Sequence, residues 1–412
     1  MLSFISNSKS LLINFLLLLS LKPGFGYAQA RNNQPDTNNV TEIRIDPRAA
    51  KGEEYAASEV FSSVRYIPLE STSKSAFGKV DQLEITDEYF IILDAAVSVV
   101  NSQSKSGIFL FSKDGKFHSK LEGFRTIYFA VNREKKEISV LNFDDGKWMH
   151  FNYEGKLLRS ELPYINFADF TFLKDNTTAF YRGYSFVQDK FEPTLNTPAL
   201  KYSNVLFAKN RQNFATHYLP YDTLAFNYND AGGLAKYFRT SGDYTYLTKP
   251  YDYSVYHLKG TALAVNYQFI FPAEQSLPRD FLYNKVYLNK RRIYAEEHKP
   301  LINLIGDFYK AGNHLSFKSY SYESMDVFIY NLKSGELVSF SGTTADKLTH
   351  SLPLGLSIHG CDGVASFFSS VRAVDILSTG LKTDGLTPEL AAFVKKNDKR
   401  SNPLLVELIV KP

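Results

Sequence analysis

Gly107 to Leu121 reads GIFLFSKDGKFHSKL, two runs of strand-forming residues joined by an Asp-Gly pair; Lys147 to Glu161, KWMHFNYEGKLLRSE, repeats the plan forty residues later. A third copy, VFIYNLKSGELV, surrounds Gly335. Gly reaches positive φ without steric cost, so Asp114-Gly115, Glu154-Gly155 and Ser334-Gly335 mark tight turns between antiparallel strands. Glu is a poor occupant of a positive-φ site, so the turn at Gly155 is expected to be a type I turn closed by a Gly bulge.

The strands beside these turns carry a second constraint. In YFIILD (Tyr89 to Asp94) and GIFLF (Gly107 to Phe111), apolar side chains fill odd and even positions alike, so both faces of each strand must be covered. Such burial arises in parallel sheets wrapped by helices or in stacked antiparallel sheets. Hairpin turns and scarce helical stretches favour the second. A forty-residue period lies within the ~40–50 residues of a four-stranded propeller blade. A β-sandwich with recurrent hairpins is the competing reading, but the chain is long for one sandwich, and blades around an axis explain two-sided burial directly. The expected fold class is therefore all-β, a β-propeller of four-stranded antiparallel blades with short helical insertions.

Two stretches interrupt the β pattern. RDFLYNKVYLNKRRIYAEEH (Arg279 to His298) is expected to form a helix or an excursion between blades. TPELAAFVKK (Thr387 to Lys396) offers a Thr cap, Pro388 at the first helical position and Glu389 in the first turn, so a short helix is expected. NPLLVELIV (Asn402 to Val410) then reads as a terminal strand able to complete the first or last blade.

The ends bear on location. Lys9, the apolar run LLINFLLLLSL (Leu11 to Leu21) and AQA (Ala28 to Ala30) follow the plan of a secretory signal cleaved near Ala30. An eleven-residue apolar core is short of the roughly 20 residues a membrane span needs, and no later segment is long and apolar enough. A signal over 1–30, a flexible leader over 31–42 and a single propeller domain over 43–412 are thus expected, with the protein periplasmic or extracellular. Cys361 is the only cysteine, so no intramolecular disulfide can form and burial must supply the stability. Cys361 itself reads as a small apolar filler. With 47 basic and 43 acidic residues, the charge gives no argument for nucleic acid or an anionic membrane surface. The 27 Tyr and 33 Phe suit strands that pack flat rings on a pleated surface.

Four stretches together resemble the exported six-bladed β-propeller proteins of Gram-negative bacteria, many of them lipoproteins of unknown function. They are VRYIPLES with GKVDQLEITDEYFIILD (Val64 to Ser71, Gly78 to Asp94), GIFLFSKDGKFHSKL, YDYSVYHLKGTALAVNYQFIF (Tyr251 to Phe271) and NPLLVELIV. Six blades is what the resemblance implies. It also requires long insertions, of which DAAVSVVNSQSKSG (Asp94 to Gly107) is a candidate. The chain departs from the family in lacking a lipid-attachment Cys and in reading LEGFRTIYFA (Leu121 to Ala130) where a Gly/Pro-rich turn with a Glu is usual.

Propeller sites gather at the mouth where loops enter the innermost strands and where second strands pass to third strands. That mouth is expected to collect Arg125, Asp144, Asp145, Arg182 and Tyr184 as ligand-binding residues. Arginines offer paired donors and tyrosine a face with a polar tip, which suits a carboxylate or a sugar acid. NFDDGKW (Asn142 to Trp148) resembles the Asp box of sialidase propellers, a structural motif, and supplies too few oxygens for a calcium loop. The eight His show no metal-ligand spacing, G-x-S-x-G is absent, and no motif calls for a cofactor. The leading expectation is a non-catalytic binding or scaffolding propeller for a small polar ligand, a glycan or a protein partner. The alternative is an extracellular hydrolase or lyase acting on a sugar or lactone at the channel mouth.

Overall fold

The computed structural model describes residues 33–95, 105–185, 195, 197–210, 213–222, 226, 230, 233–380, 383 and 385–412. The segment read as an export signal and most of the proposed insertion at 94–107 lie outside them.

Six blades of four antiparallel strands carry the fold, one of them extended by a fifth strand. Blade 1 comprises Gln82–Ile85, Tyr89–Asp94, Ser106–Ser112 and Phe117–Phe124. Blade 2 comprises Phe129–Asn132, Glu137–Leu141, Trp148–Asn152 and Leu157–Glu161; blade 3 Asp169–Phe172, Thr178–Tyr181, Ser203–Asn210 and Asn213–Pro220. Blade 4 comprises Phe238–Ser241, Tyr244–Leu247, Ser254–Lys259 and Ala262–Ile270; blade 5 Leu304–Ala311, His314–Tyr320, Met325–Asn331 and Leu337–Ser339. Blade 6 takes Ile358–Cys361, Ser366–Val371 and Leu404–Val410 from the end of the chain and Phe61–Pro68 from its beginning. The register runs Leu404 opposite Pro68 to Val410 opposite Phe61, so the closing strand is locked to the opening one and the ring is fastened by a β-ladder. The structure is thus the six-bladed propeller expected.

Two-sided burial now has its cause. In the strand Tyr89–Asp94, Phe90 and Ile92 pack with Phe368 and Leu405 of blade 6, while Ile91 and Leu93 pack with Phe129, Ile138 and Val140 of blade 2. Alternate side chains point to opposite faces of a strand, and here each face meets a neighbouring blade. Each such buried side chain contributes roughly 1.5–3 kcal/mol of transfer free energy.

The hairpins at Gly115 and Gly155 are type I turns with a bulge. Gly115 (φ +83°) and Gly155 (φ +81°) donate their amides back to the Ser112 and Asn152 carbonyls, and the register of each hairpin shifts between Leu110 and Phe111 and between His150 and Phe151. The helix at Pro388–Lys396 forms as expected, with Thr387 accepting from the Leu390 amide. The basic excursion is a 3-10 turn at Lys285–Tyr287 and a helix at Arg291–Glu297 between blades 4 and 5.

The N-terminal segment was not legible as what it becomes. From Asn33, which bridges Tyr218, it passes Ala264 at Asp36 and adds Thr41–Arg44 as a parallel fifth strand outside blade 4. The helix Pro47–Lys51, capped by Asp46, packs on the outer strand of blade 5. Tyr55–Ala56 then pairs with Thr343–Thr344 before the chain becomes the outer strand of blade 6. Residues 33–60 are therefore a belt over the outer edges of blades 3 to 5. Ile43 anchors it, fully buried among Phe269, Phe271 and Ile305.

Candidate functional site: the two mouths of the channel

The ring has two mouths. The upper mouth is built from the loops entering each innermost strand and those joining second to third strands; the lower mouth is built from the hairpins joining first to second strands. All five residues expected in the site lie on upper loops, but the structure gives them different tasks.

Arg125 and Asp144 come together. Arg125 Nε donates to Asp144 Oδ1 at 2.9 Å, and Lys105 Nζ reaches Oδ2 at 2.8 Å. The Lys105 and Arg125 contacts hold the Asp144 carboxyl below its ordinary range. The turn that presents it is set by Asn142, whose Oδ1 accepts from the Arg125 and Asp144 amides. Asp145 works inside the turn, accepting from the Lys147 amide and from Asn142 Nδ2, and the Lys147 amide leads the contacts that hold its carboxyl below the usual range. Phe143 stands out from the same turn, 40 % exposed.

Arg182 is fully buried. Its Nη1 donates to the Lys201 carbonyl at 2.6 Å and its Nε to the Asn166 carbonyl at 3.3 Å, so its guanidinium ties loops together. Tyr184 follows two positions later at φ +62°, its amide held by Asn204 Oδ1 at 2.8 Å. Its ring lies against Phe226 with 3.9 Å between centroids and the planes tilted by 31°, within an aromatic cluster with Tyr251 and Phe281. Arg182 thus ties together the loops of blade 3 and Tyr184 joins them to the basic excursion through Phe281, while Arg125 and Asp144 stand at the mouth over blade 2.

The upper mouth also holds a cleft of about 670 Å³. Tyr128, Phe143, Phe167 and Tyr237 supply its aromatic wall, and Asn289 and Arg292 reach it from the excursion that crosses the mouth. Sequence reasoning missed these residues. The usable signals were the surplus of Tyr and Phe and the basic middle of Arg279 to His298. The lower mouth opens to a second cavity of about 630 Å³ whose rim is charged, with Arg133, Glu134, Lys174 and Asp243 among its lining. Among the described residues, no three His, Cys, Asp or Glu side chains gather as metal ligands.

Blade number, ring closure and a channel with two distinct mouths define the class: a six-bladed β-propeller. Within that class the chain belongs to the family described as domain of unknown function DUF4934, whose model matches residues 40–408. No curated protein matches the sequence. Among solved structures, a Bacteroides fragilis protein named only for its inferred export superposes with a TM-score of 0.64 at 13% identity, over 91% of this chain and all of that one. A Bacteroides vulgatus member of the DUF4221 family gives a TM-score of 0.40 at 10% identity, over 85% of this chain and 97% of its own. The first shares the fold; the second supports nothing further. No helix among the described residues is long and apolar enough to cross a membrane.

Proposed function

We propose that the protein is an exported, non-catalytic binding propeller whose upper mouth holds a glycan fragment. The observation that carries this reading is the cleft in which Tyr128, Phe143, Phe167 and Tyr237 face a rim bearing Asn289 and Arg292. Aromatic rings bury the C–H faces of a sugar, while a few placed polar groups fix its hydroxyl or carboxylate substituents. Phe143, exposed on the turn that carries the Asn142–Asp145 hydrogen bond, is the ring best placed to stack. Arg125 stands beside it, bonded through its carbonyl to the Phe143 amide, and extends the basic rim. Arg182 and Tyr184 serve this reading by positioning the loops.

The hydrolase or lyase alternative needs a carboxyl group poised to give up a proton near neutral pH. Asp144, the acid at this mouth with two cations beside it, is held in the opposite direction. Calorimetric titration with neutral and acidic oligosaccharides tests the proposal. Binding should weaken at least about tenfold in Phe143→Ala, the scale of a lost aromatic contact, and Arg292→Ala should weaken acidic sugars more than neutral ones. Silence across the panel, or turnover of a bound sugar, would overturn it.

A further inference from the structure

The cavity at the lower mouth contains a feature the upper cleft lacks. Glu84, on the innermost strand of blade 1, is 6 % exposed and lies in the wall of that cavity. Carboxylates are rarely buried without a cation, because desolvation of the charge must be offset by an opposite charge or several donors. Glu84 has little of either. Its Oε2 accepts the hydroxyl of Thr240, which reaches across from blade 4. Its Oε1 has the Gln82 amide at 3.5 Å, a long contact from a group already committed: Gln82 Nε2 donates to the Phe129 carbonyl at 2.9 Å and its Oε1 accepts from the Phe129 amide at 3.0 Å.

Two of the cations around the cavity are engaged elsewhere, and Arg133 and Lys259 line it without an ion pair to Glu84. Lys236 gives its ammonium to Asp169 at 3.2 Å and to the Phe170 carbonyl at 3.4 Å. Lys174 pairs with Asp243 at 3.0 Å. Among the described residues, none places a cationic nitrogen within 4 Å of the Glu84 carboxylate. An acceptor with unused lone pairs therefore sits in the wall of a cavity large enough for a small organic molecule, with the half-exposed ring of Tyr244 at its rim.

We propose that this lower cavity is a binding site for a small primary amine, with the ligand's ammonium docked on Glu84. An ammonium supplies three donors and the missing charge at once. The Thr240 hydroxyl holds the carboxylate in place, and Tyr244 offers a π-face to the remainder of a cationic ligand. A metal ion is a poorer match, since among the described residues Glu84 has no gathered partner ligands. The site faces away from the upper cleft, so it does not rest on glycan binding there.

The experiment is calorimetric titration of the protein with 1,5-diaminopentane, alongside 1-pentanol as a neutral probe of similar length. The diamine should bind at millimolar concentration or below and the alcohol should not. Glu84→Gln should lower the affinity at least about tenfold, the scale of a lost charge-assisted hydrogen bond, while Phe143→Ala at the other mouth should leave it unchanged. If Glu84→Gln fails to fold, the glutamate carboxyl 13C resonances of the unmodified protein give the answer, because one should shift on adding diamine and none on adding alcohol. No heat and no shifting resonance, or equal binding by amine and alcohol, or full binding in a folded Glu84→Gln protein, would overturn the proposal.

Discussion

Along blades 4 and 5 the N-terminal belt covers the outer edge, whereas the outer strand of blade 2, Leu157–Glu161, is open to solvent along almost its whole length. The seams between blades differ too. Blades 4 and 5 are joined by a buried charge cluster, in which Arg239 and Lys318 both bind Asp307. Blades 6, 1 and 2 are joined by turns pressed on a neighbour's backbone: Gly115 lies against Pro68 and Gly155 against Lys120. One side of the ring is thus secured by added chain and buried charge, the other by close backbone approach. The same repeat can therefore be fastened in two ways, and each fails under a different substitution.

The largest effect is expected at the charge cluster. Burial alone would raise the Asp307 carboxyl, but Arg239 and Lys318 hold it below its ordinary value. Asp307→Asn keeps the shape and tolerates the positive φ of this position, yet leaves the buried Arg239 and the largely buried Lys318 without their anion. Unfolding in urea should show a loss of about 3–5 kcal/mol. The pH dependence has a definite sign. A carboxyl depressed in the folded state contributes fully above its unfolded value of about 3.9 and loses that contribution as the pH falls below it. The unmodified protein should therefore lose stability more steeply than Asp307→Asn as acid is added below about pH 4. Parallel profiles would show that the cluster does not fasten this side.

The glycine series sharpens the other half of the comparison. A Cβ at Gly115 would lie 2.0 Å from the Pro68 carbonyl oxygen, and one at Gly155 would lie 2.7 Å from that of Lys120. At Gly335 the nearest atom is the Tyr330 hydroxyl, 3.8 Å away, although φ is +76°. Substitution by Val should cost about 3 kcal/mol at Gly115, about 2 at Gly155 and about 1 at Gly335, since only backbone strain acts at the last. Equal losses at all three, read from denaturation midpoints, would mean that φ alone matters and that the turns do not fasten the blades.

How far the sequence disclosed this follows from the range of each interaction. The hairpins were legible because a turn needs a particular residue within four positions, and two-sided burial was legible because Tyr89 to Asp94 contains both faces. The helix after Thr387 announced itself through a local cap. The belt did not, because the pairing of Thr41–Arg44 with Ala262–Ile270 joins residues far apart in a stretch of ordinary polarity. The candidate site divides in the same way. Arg125 and Asp144 share loops at one mouth, but nothing local distinguishes them from Arg182, whose burial depends on carbonyls from Asn166 and Lys201. In sequence Glu84 is one polar position among apolar neighbours, and only Thr240 arriving from blade 4 sets it in the wall of a cavity.

The smallest expected effect lies on the bare edge. Leu158 and Leu162 are 44 % and 62 % exposed, so replacing both with Ser removes little buried area. The change should stay within about 0.5 kcal/mol, the usual range for surface positions. Ile43, which holds the belt on blade 4 at 0 % exposure, is the counterpart, and Ile43→Ala should cost about 2–5 kcal/mol through the cavity it leaves. Arg159 and Glu161 already charge the bare edge, and charged residues on an edge strand discourage pairing with another chain. Removing the leucines should therefore leave melting temperature unchanged while losing the belt's anchor lowers it. A large loss from Leu158→Ser and Leu162→Ser would show that the blade 2 edge is covered in solution and that the two sides of the ring are fastened alike.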